Sequence, residues 1–422
     1  MILPSIDLQN GHAVQLRAGR ELVLDAGDPR PWLAQFARVG EVAVVDLDAA
    51  LGRGDNTALV RELCARGPCR VGGGIRTAAQ ALDLLDAGAT KVVLGTRAVP
   101  ELLTQLPRHR TVAALDAVHG EVVVDGWRTR TGRSVAERMQ ELRPFVGGFL
   151  VTFVEREGRL LGLDLDAVRA LRAAAGDHEL VVAGGVACPA DVKALDDLGV
   201  DAQVGMALYQ HVFGIADALA ALLPKEPPGG LWPTVVTDER GTALGLAWSD
   251  AESLGLALRE GRGIYRSRRR GLWRKGEQSG AFQELLRVEL DCDRDALRFT
   301  VRQHGPGFCH RGCATCWGPA RGLDALAARL ATRARSTTGT SYTRQLLDDP
   351  SWLQSKLVEE AGELAAARGA TAVVAEAADL LYFTSVALER AGVDLAAVEA
   401  ELDRRALQVR RRPGLPKPEP TS

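Results

Sequence analysis

The sequence predicts a multidomain chain: a (β/α)8 barrel, then a small mainly β domain, then an all-α domain. Three observations carry this. Through the first half, short β-branched runs such as "VAVVDLD", "KVVLGT" and "GFLVTFV" alternate with helical stretches such as "TAAQALDLLDAG", the signature of a parallel sheet. That half also repeats itself. Val71–Val99 resembles Val182–Tyr209, and "SIDLQNG" resembles "ALDAVHG", both at an offset of roughly 110 residues. A doubled set of four βα units closes into eight strands. Beyond it the periodicity changes: short strands and turns ("TVVTDERGTALGLAW", "ALRFTVRQHG") give way to apolar residues at helical spacing ("SWLQSKLVEEAGELAAARG", "TAVVAEAADLLYFTSVALERAG", "LAAVEAELDRRALQVR").

The boundaries follow from local composition. "PKEPPGG" (Pro224–Gly230) has the prolines, glycines and charges of a linker, and "WGPARG" (Trp317–Gly322) is a weaker break. The expected domains are residues 1–223, 231–319 and 323–412. The tail "RRRPGLPKPEPTS" is expected to be disordered. Lys and Arg total 52 and Asp and Glu total 54, so no global nucleic-acid footprint is present. The start lacks a basic region followed by an apolar run, and no stretch of about 18 apolar residues appears, so neither a signal peptide nor a membrane span is expected. The seven cysteines are odd in number and four cluster between Glu289 and Gly318. That pattern points to cytoplasmic thiols and a metal rather than a disulfide framework.

In the barrel, "GGGIR" (Gly73, Gly74, Arg76) and "LGTRA" (Gly95, Thr96) each lie between a strand and a helix. "AGGV" (Gly184, Gly185) and "VGMA" (Gly205) occupy the matching places in the second half. Glycines admit close backbone approach, and helix N-termini offer free N–H groups to phosphate. Two such sets predict a ligand with two phosphates. Asp7 and Asp116 end the first and fifth strands, on opposite sides of the barrel mouth. One can remove a proton while the other donates one; the plainer role for each alone is a loop cap.

"IDLQNGHAVQLRAG", "VVDLDAALGRGDN", "VGGGIR", "LDAVHGEVVVDGW" and "AGGV" resemble the histidine-pathway isomerase acting on formimino-aminoimidazole carboxamide ribonucleotide, over residues 1–222. The resemblance implies a cofactor-free Amadori rearrangement with Asp7 as base and Asp116 as acid. It places Trp127 stacked on the substrate and Thr152 beside the reacting ribose. Glu157-Gly158 stands where that family has Asp-Gly, and Met206 where it has Arg.

In the middle segment, Asp291, Asp293 and Asp295 alternate. On a strand they share one face, with Cys292 on the other, and three carboxylates together suit a hard cation such as Mg²⁺. Cys309, Cys313 and Cys316 follow "QHGPGF". A second C-x-x-C pair is missing, so a structural ribbon is disfavoured, and three thiolates leave a fourth zinc position for water. "GIYRSRRRGLWRKGEQSG" and "LDCDRDALRFTVRQHGPGFCHRGCATCW" resemble phosphoribosyl-AMP cyclohydrolase over residues 231–318. That resemblance implies a zinc domain with Cys292, Cys309 and Cys316 as ligands, Cys313 as an extra thiol, Asp291, Asp293 and Asp295 for magnesium, and His310 in proton transfer. The run Arg266–Arg274 would meet phosphates.

In the last segment, "KLVEEAGE" supplies Lys356, Glu359, Glu360 and Glu363, and "EAAD" supplies Glu376 and Asp379. Spacings of three and four put these acids on one face of each helix, and facing acidic helices build metal sites. With "SYTRQLL" ahead, the pattern resembles phosphoribosyl-ATP pyrophosphohydrolase over residues 323–410. This implies Mg²⁺ on the five acids and Lys356 on phosphate. The three resemblances fall on consecutive steps of one pathway, so the expectation is a trifunctional histidine-biosynthesis enzyme using Zn²⁺ and Mg²⁺. The alternative is a bifunctional hydrolase whose barrel is a scaffold. Expected partners are small-molecule phosphoribosyl nucleotides and a second copy of the chain, a homodimer through the cyclohydrolase-like and helical domains, with no nucleic acid and no membrane.

Overall fold

The computed structural model describes residues 1–17, 19–336 and 341–410; all but the first residue of the tail expected to be disordered lies outside them. The chain falls into two compact units. One comprises Met1–Asp238, Leu246–Gly305 and the segment from Leu407; the other comprises Glu239–Gly245 and Pro306–Ala406.

In the first unit eight parallel strands close a barrel. They are Ile2–Gln9, Val42–Asp46, Cys69–Gly72, Lys91–Leu94, Thr111–Val118, Gly148–Phe153, Glu179–Ala183 and Asp201–Val204. Each pairs with the next, and the eighth returns to the first through Ile2 opposite Ala202. Because side chains alternate along a strand, one set points inward. Leu3, Ala43, Val93, Val112, Leu150, Val181 and Ala183 form that interior plug. Stepping by twos toward the strand ends carries Leu3 to Ser5 and Asp7, Val112 to Ala114 and Asp116, and Leu150 to Thr152. The period that fills the barrel thus also aims the acids at its C-terminal mouth, where barrel sites form. Two antiparallel excursions rise from that rim: His12–Arg17 with Glu21–Gly27, and Glu121–Val124 with Thr129–Ser134.

After the barrel, a four-stranded sheet runs in the order Ala243–Ser249, Trp232–Thr237, Leu297–Gln303, Gln283–Leu290, with a helix at Ala251–Glu260 and a separate hairpin, Ile264–Ser267 with Gly271–Arg274. The second unit is mainly helical. Its core is Leu330, Leu346, Leu353, Phe383 and Val386. Helices Pro350–Ala366 and Ala370–Ala391 form a hairpin through a short connection ending at Gly369, whose φ of 84° suits a residue without Cβ. The expectation that no segment is long and apolar enough for a membrane meets one exception. Ala370–Ala391, with a mean hydropathy of 1.4, passes by length and composition. The same helix carries part of the helical core.

Candidate active sites on the barrel and the two following segments

The barrel mouth encloses a cavity of about 450 Å³ lined by Asp7, Asp116, Thr152, Glu157 and Trp127 together with the loops Gly72–Arg76 and Gly95–Arg97, a volume suited to a small phosphorylated molecule. Asp116 and Thr152 are direct neighbours across adjacent strands. Burial pushes the Asp7 carboxyl up to about 7. Burial also raises Asp116, opposed by hydrogen bonds from Trp127 and Thr152 that favour its carboxylate. Glu157 is pushed up to about 8, first by burial and then by the charges of Asp7 and Asp116. One cavity therefore holds three carboxyls whose proton affinities are all raised above the usual carboxylate range, Asp7 to about 7 and Glu157 to about 8, which suits proton transfer near neutral pH. Tyr209 is buried against Trp32, with ring centroids 4.3 Å apart, and its hydroxyl has no partner among the described residues.

All but Gly95 of these glycines are required by close approach or by backbone conformation. Gly73 has φ 92°, and a Cβ there would lie 2.3 Å from the Asp46 carbonyl oxygen. A Cβ on Gly205 would lie 2.7 Å from Ser5 Oγ. At Gly184 a Cβ would lie 2.5 Å from the Phe153 carbonyl oxygen and 3.2 Å from Glu157 Oε2. Gly185 has φ 106° and Gly95 sits in open space. Thr96 Oγ1 accepts from the Asp125 N–H at 3.1 Å, tying the fourth-strand loop to the excursion that bears Trp127. Arg76 lines the cavity and donates to the Ala49 carbonyl at 3.0 Å.

A buried polar network that the sequence reading did not assign supports these loops. Asp46 accepts from Ala49 N–H (3.0 Å), Asn56 N–H (2.6 Å) and Asn56 Nδ2 (2.8 Å). Asp48 accepts from Asn10 N–H at 2.6 Å and Asn56 Nδ2 at 3.0 Å, and Asn56 Oδ1 accepts from Gly11 N–H at 2.9 Å. The loops after the first two strands are thereby locked together. The sequence signal was an Asp at a strand end just before a helix, a capping position.

Asp291, Asp293 and Asp295 lie together, with one carboxylate oxygen from each within 4.8 Å of the others. They are not on a strand, as their alternation implied. The strands end at Leu290 and restart at Leu297, so the acids occupy the connecting turn. Their convergence comes from the turn: Arg294 takes φ 64°, and Asp291 Oδ1 accepts from the N–H groups of Asp295 (2.9 Å) and Ala296 (3.1 Å). The charge of Asp293 raises the Asp295 carboxyl. Exposed Cys292 lies in this turn, in the first unit, and is not set apart by a strand face. Cys309, Cys313 and Cys316 belong to the second unit, where Cys309 N–H donates to the Cys313 carbonyl at 3.1 Å. His310 is in an exposed turn beside them. In the arginine run, Arg266 is already committed to Asp250 (2.5 Å) and Arg274 to Glu260, leaving Arg268, Arg269 and Arg270 exposed.

On the helical hairpin, Glu360, Glu363 and Glu376 converge within 4.8 Å. Glu360 is 6 % exposed. Lys356 pairs with it at 3.0 Å and with Glu359 at 2.8 Å. Burial, then the charges of Glu360 and Glu376, raise Glu363. Glu359 and Asp379 are exposed and stand outside this three-residue group.

Residues 1–214 match the family described as histidine biosynthesis protein, residues 245–318 phosphoribosyl-AMP cyclohydrolase, and residues 323–406 phosphoribosyl-ATP pyrophosphohydrolase. An imidazole-4-carboxamide isomerase of Deinococcus radiodurans is 40% identical over 225 residues, covering 50% of this chain and 93% of that protein. A histidine biosynthesis trifunctional protein of Neurospora crassa is 46% identical over 200 residues, 47% of this chain and 23% of its own length. One from Saccharomyces cerevisiae is 43% identical over 193 residues, 45% of this chain and 24% of its own. The chain spans about a quarter of the length of these trifunctional relatives.

Proposed function

The chain belongs to the histidine biosynthesis protein family, and from that premise we propose that it is a trifunctional enzyme of histidine biosynthesis. It hydrolyses phosphoribosyl-ATP to phosphoribosyl-AMP and pyrophosphate, opens the adenine ring of phosphoribosyl-AMP, and isomerises the product by Amadori rearrangement. The observation that carries the reading is that acid–base and cation-binding side chains gather separately in all three matched segments.

At the barrel mouth, Asp116 donates a proton to the ribose ring oxygen as the ring opens, and Asp7 removes the proton from C2 so that the aldose becomes a ketose. A base whose carboxyl sits near 7 is matched to that task. The glycine loops and Arg76 hold the two phosphates, and Trp127 and Thr152 fix the reacting sugar. In the middle segment the donor sets fit metals: thiolates suit Zn²⁺ and an exposed carboxylate trio suits Mg²⁺. Bound zinc would supply Lewis acidity that activates water near neutral pH. Cys292, Cys309 and Cys316 would hold it, His310 would move a proton, and Arg268–Arg270 would meet phosphate. On the helices Glu360, Glu363 and Glu376, with Glu359 and Asp379, would hold Mg²⁺, and Lys356 would meet a phosphate oxygen. The enzyme is a homodimer through these last two segments and works in the cytoplasm, on small nucleotides only.

A second reading keeps the two hydrolases and makes the barrel a scaffold. It is favoured by Met206, a buried apolar residue at the last phosphate loop. One time course separates them. The purified chain is incubated with phosphoribosyl-ATP, Mg²⁺ and Zn²⁺, and each intermediate is followed. Accumulation of the aminoaldose without the aminoketose refutes isomerisation; no pyrophosphate refutes the whole reading.

A further inference from the structure

The acidic turn is anchored on the barrel. Arg294, in the middle of Asp291–Asp295, donates through two nitrogens to both carboxylate oxygens of Asp196, at 2.7 and 2.6 Å. Asp196 lies near the end of the barrel helix Pro189–Asp197 and also accepts from the N-terminal amine of Met1 at 3.0 Å. Its side chain is only 10 % exposed. A fork-to-carboxylate pair is directional, so it fixes the guanidinium and hence the backbone that carries it. That backbone is the strained one: Arg294 has φ 64° without being glycine. Its N–H closes the turn on the Asp291 carbonyl at 3.4 Å. Three mutually repelling carboxylates flank a residue held in an unfavourable conformation by a partner more than ninety positions away. Elsewhere the two segments meet where helix Ile215–Leu222 packs against Ala251–Glu260 and where Arg38 donates to the Leu258 carbonyl at 2.8 Å. At the acidic turn Arg294 also donates to Met1 Sδ at 3.2 Å, but Asp196 is the charged partner there.

The geometry points to Asp196 as a positioning residue for the acidic turn: the barrel, through Arg294, pre-organises the cation site of the adjoining segment. This rests on reading that turn as a cation site. Pre-organisation lowers the cost of gathering like charges, so losing the anchor weakens cation binding without removing any ligand.

The test is Mn²⁺ titration calorimetry on the full chain, using the part of the isotherm that Asp293→Asn removes. Asp196→Asn is expected to weaken that part roughly tenfold. Arg294→Gln is expected to do the same, and the double variant to be no weaker than the weaker single. Far-UV circular dichroism confirms that each variant is folded, and Asp196→Glu, which keeps the charge, is expected to recover part of the affinity. An isotherm that Asp293→Asn does not change overturns the cation-site reading and the coupling with it. One that Asp293→Asn diminishes but Asp196→Asn leaves intact, or effects of the two anchors that simply add, overturns the coupling alone.

Discussion

Asp7→Asn should make the barrel inactive and, above neutral pH, more stable. Burial lifts the Asp7 carboxyl from an ordinary 3.8 to about 7. At about 1.36 kcal/mol per pH unit, the ionised side chain costs the folded state about 4 kcal/mol. The sign is set by the raised value in the folded state. The stability contributed by the protonated group is fully present below about 3.8 and is lost as the pH rises through about 7. Between about pH 5 and about pH 8 the wild type should therefore lose about 3 kcal/mol that the Asn variant, having no proton to release, keeps. Hydrogen exchange in urea, read on peptides from Ile2–Gln9 and Thr111–Val118, reports barrel opening without interference from the other segments. In parallel, wild-type isomerisation should rise with pH through a limb centred near 7, and the variant should fall about 10²–10⁴-fold. Equal pH slopes of stability in the two proteins would refute the burial argument, and a variant that still isomerises would refute the base.

Glu360→Gln should abolish pyrophosphate release while leaving the helices folded, because the buried carboxylate is the centre of the acid trio; full turnover by this variant in excess EDTA would refute the metal assignment. Gly73→Ala forces a Cβ onto the Asp46 carbonyl at a φ of 92°, so the barrel should lose about 1–3 kcal/mol and its KM for the phosphorylated aldose should rise, read from urea midpoints and isomerase kinetics. Cys292→Ser should remove zinc and ring-opening activity and, if the proposed zinc site is shared between two copies of the chain, weaken self-association, since binding and assembly are then linked. Cys313→Ser should do none of these, as zinc stoichiometry and sedimentation will show.

The placement of Asp7 and Asp116 was legible because two local rules agree: the period of two along a strand and the internal repeat. The three aspartates of the middle segment show where a local rule misleads. Alternation suggested a strand face, yet Asp291–Asp295 is a turn between two strands. Asp-rich composition at such a place is itself a turn signal, and the acids meet through backbone curvature instead of pleat. On the helices, spacing grouped five acids, but only Glu360, Glu363 and Glu376 converge. Asp379 stays exposed although it stands to Glu376 as Glu363 stands to Glu360, so spacing within one helix does not decide which acids meet; the facing of the two helices does. The Asp46–Asp48–Asn56 lock was not legible, because its donors Asn10 and Gly11 come from a different strand-end loop. Nor was the anchor on Asp196, whose partner lies 98 positions away.

Least legible was the distribution of protons at the barrel mouth, which depends on the cavity and not on the identity of its acids. Glu157 is raised to about 8, first by desolvation and then by the two carboxyls that share its cavity. Burial raises Asp7 to about 7. Asp116 is pulled both ways: burial favours the acid, and donors from Trp127 and Thr152 favour the anion. In the proposed reaction Asp116 must carry a proton when substrate arrives, and substrate itself pushes in that direction. Two phosphates bring negative charge close to all three carboxyls and displace water, and both effects raise a carboxyl's proton affinity. If Trp127 leaves Asp116 to stack on the ligand, the anion also loses one of its two donors. Each change has the same sign at Asp116, so binding loads the acid. The same changes raise Asp7, which must lose its proton, and this competition is why the pH limb of the bound enzyme should lie above that of the free one.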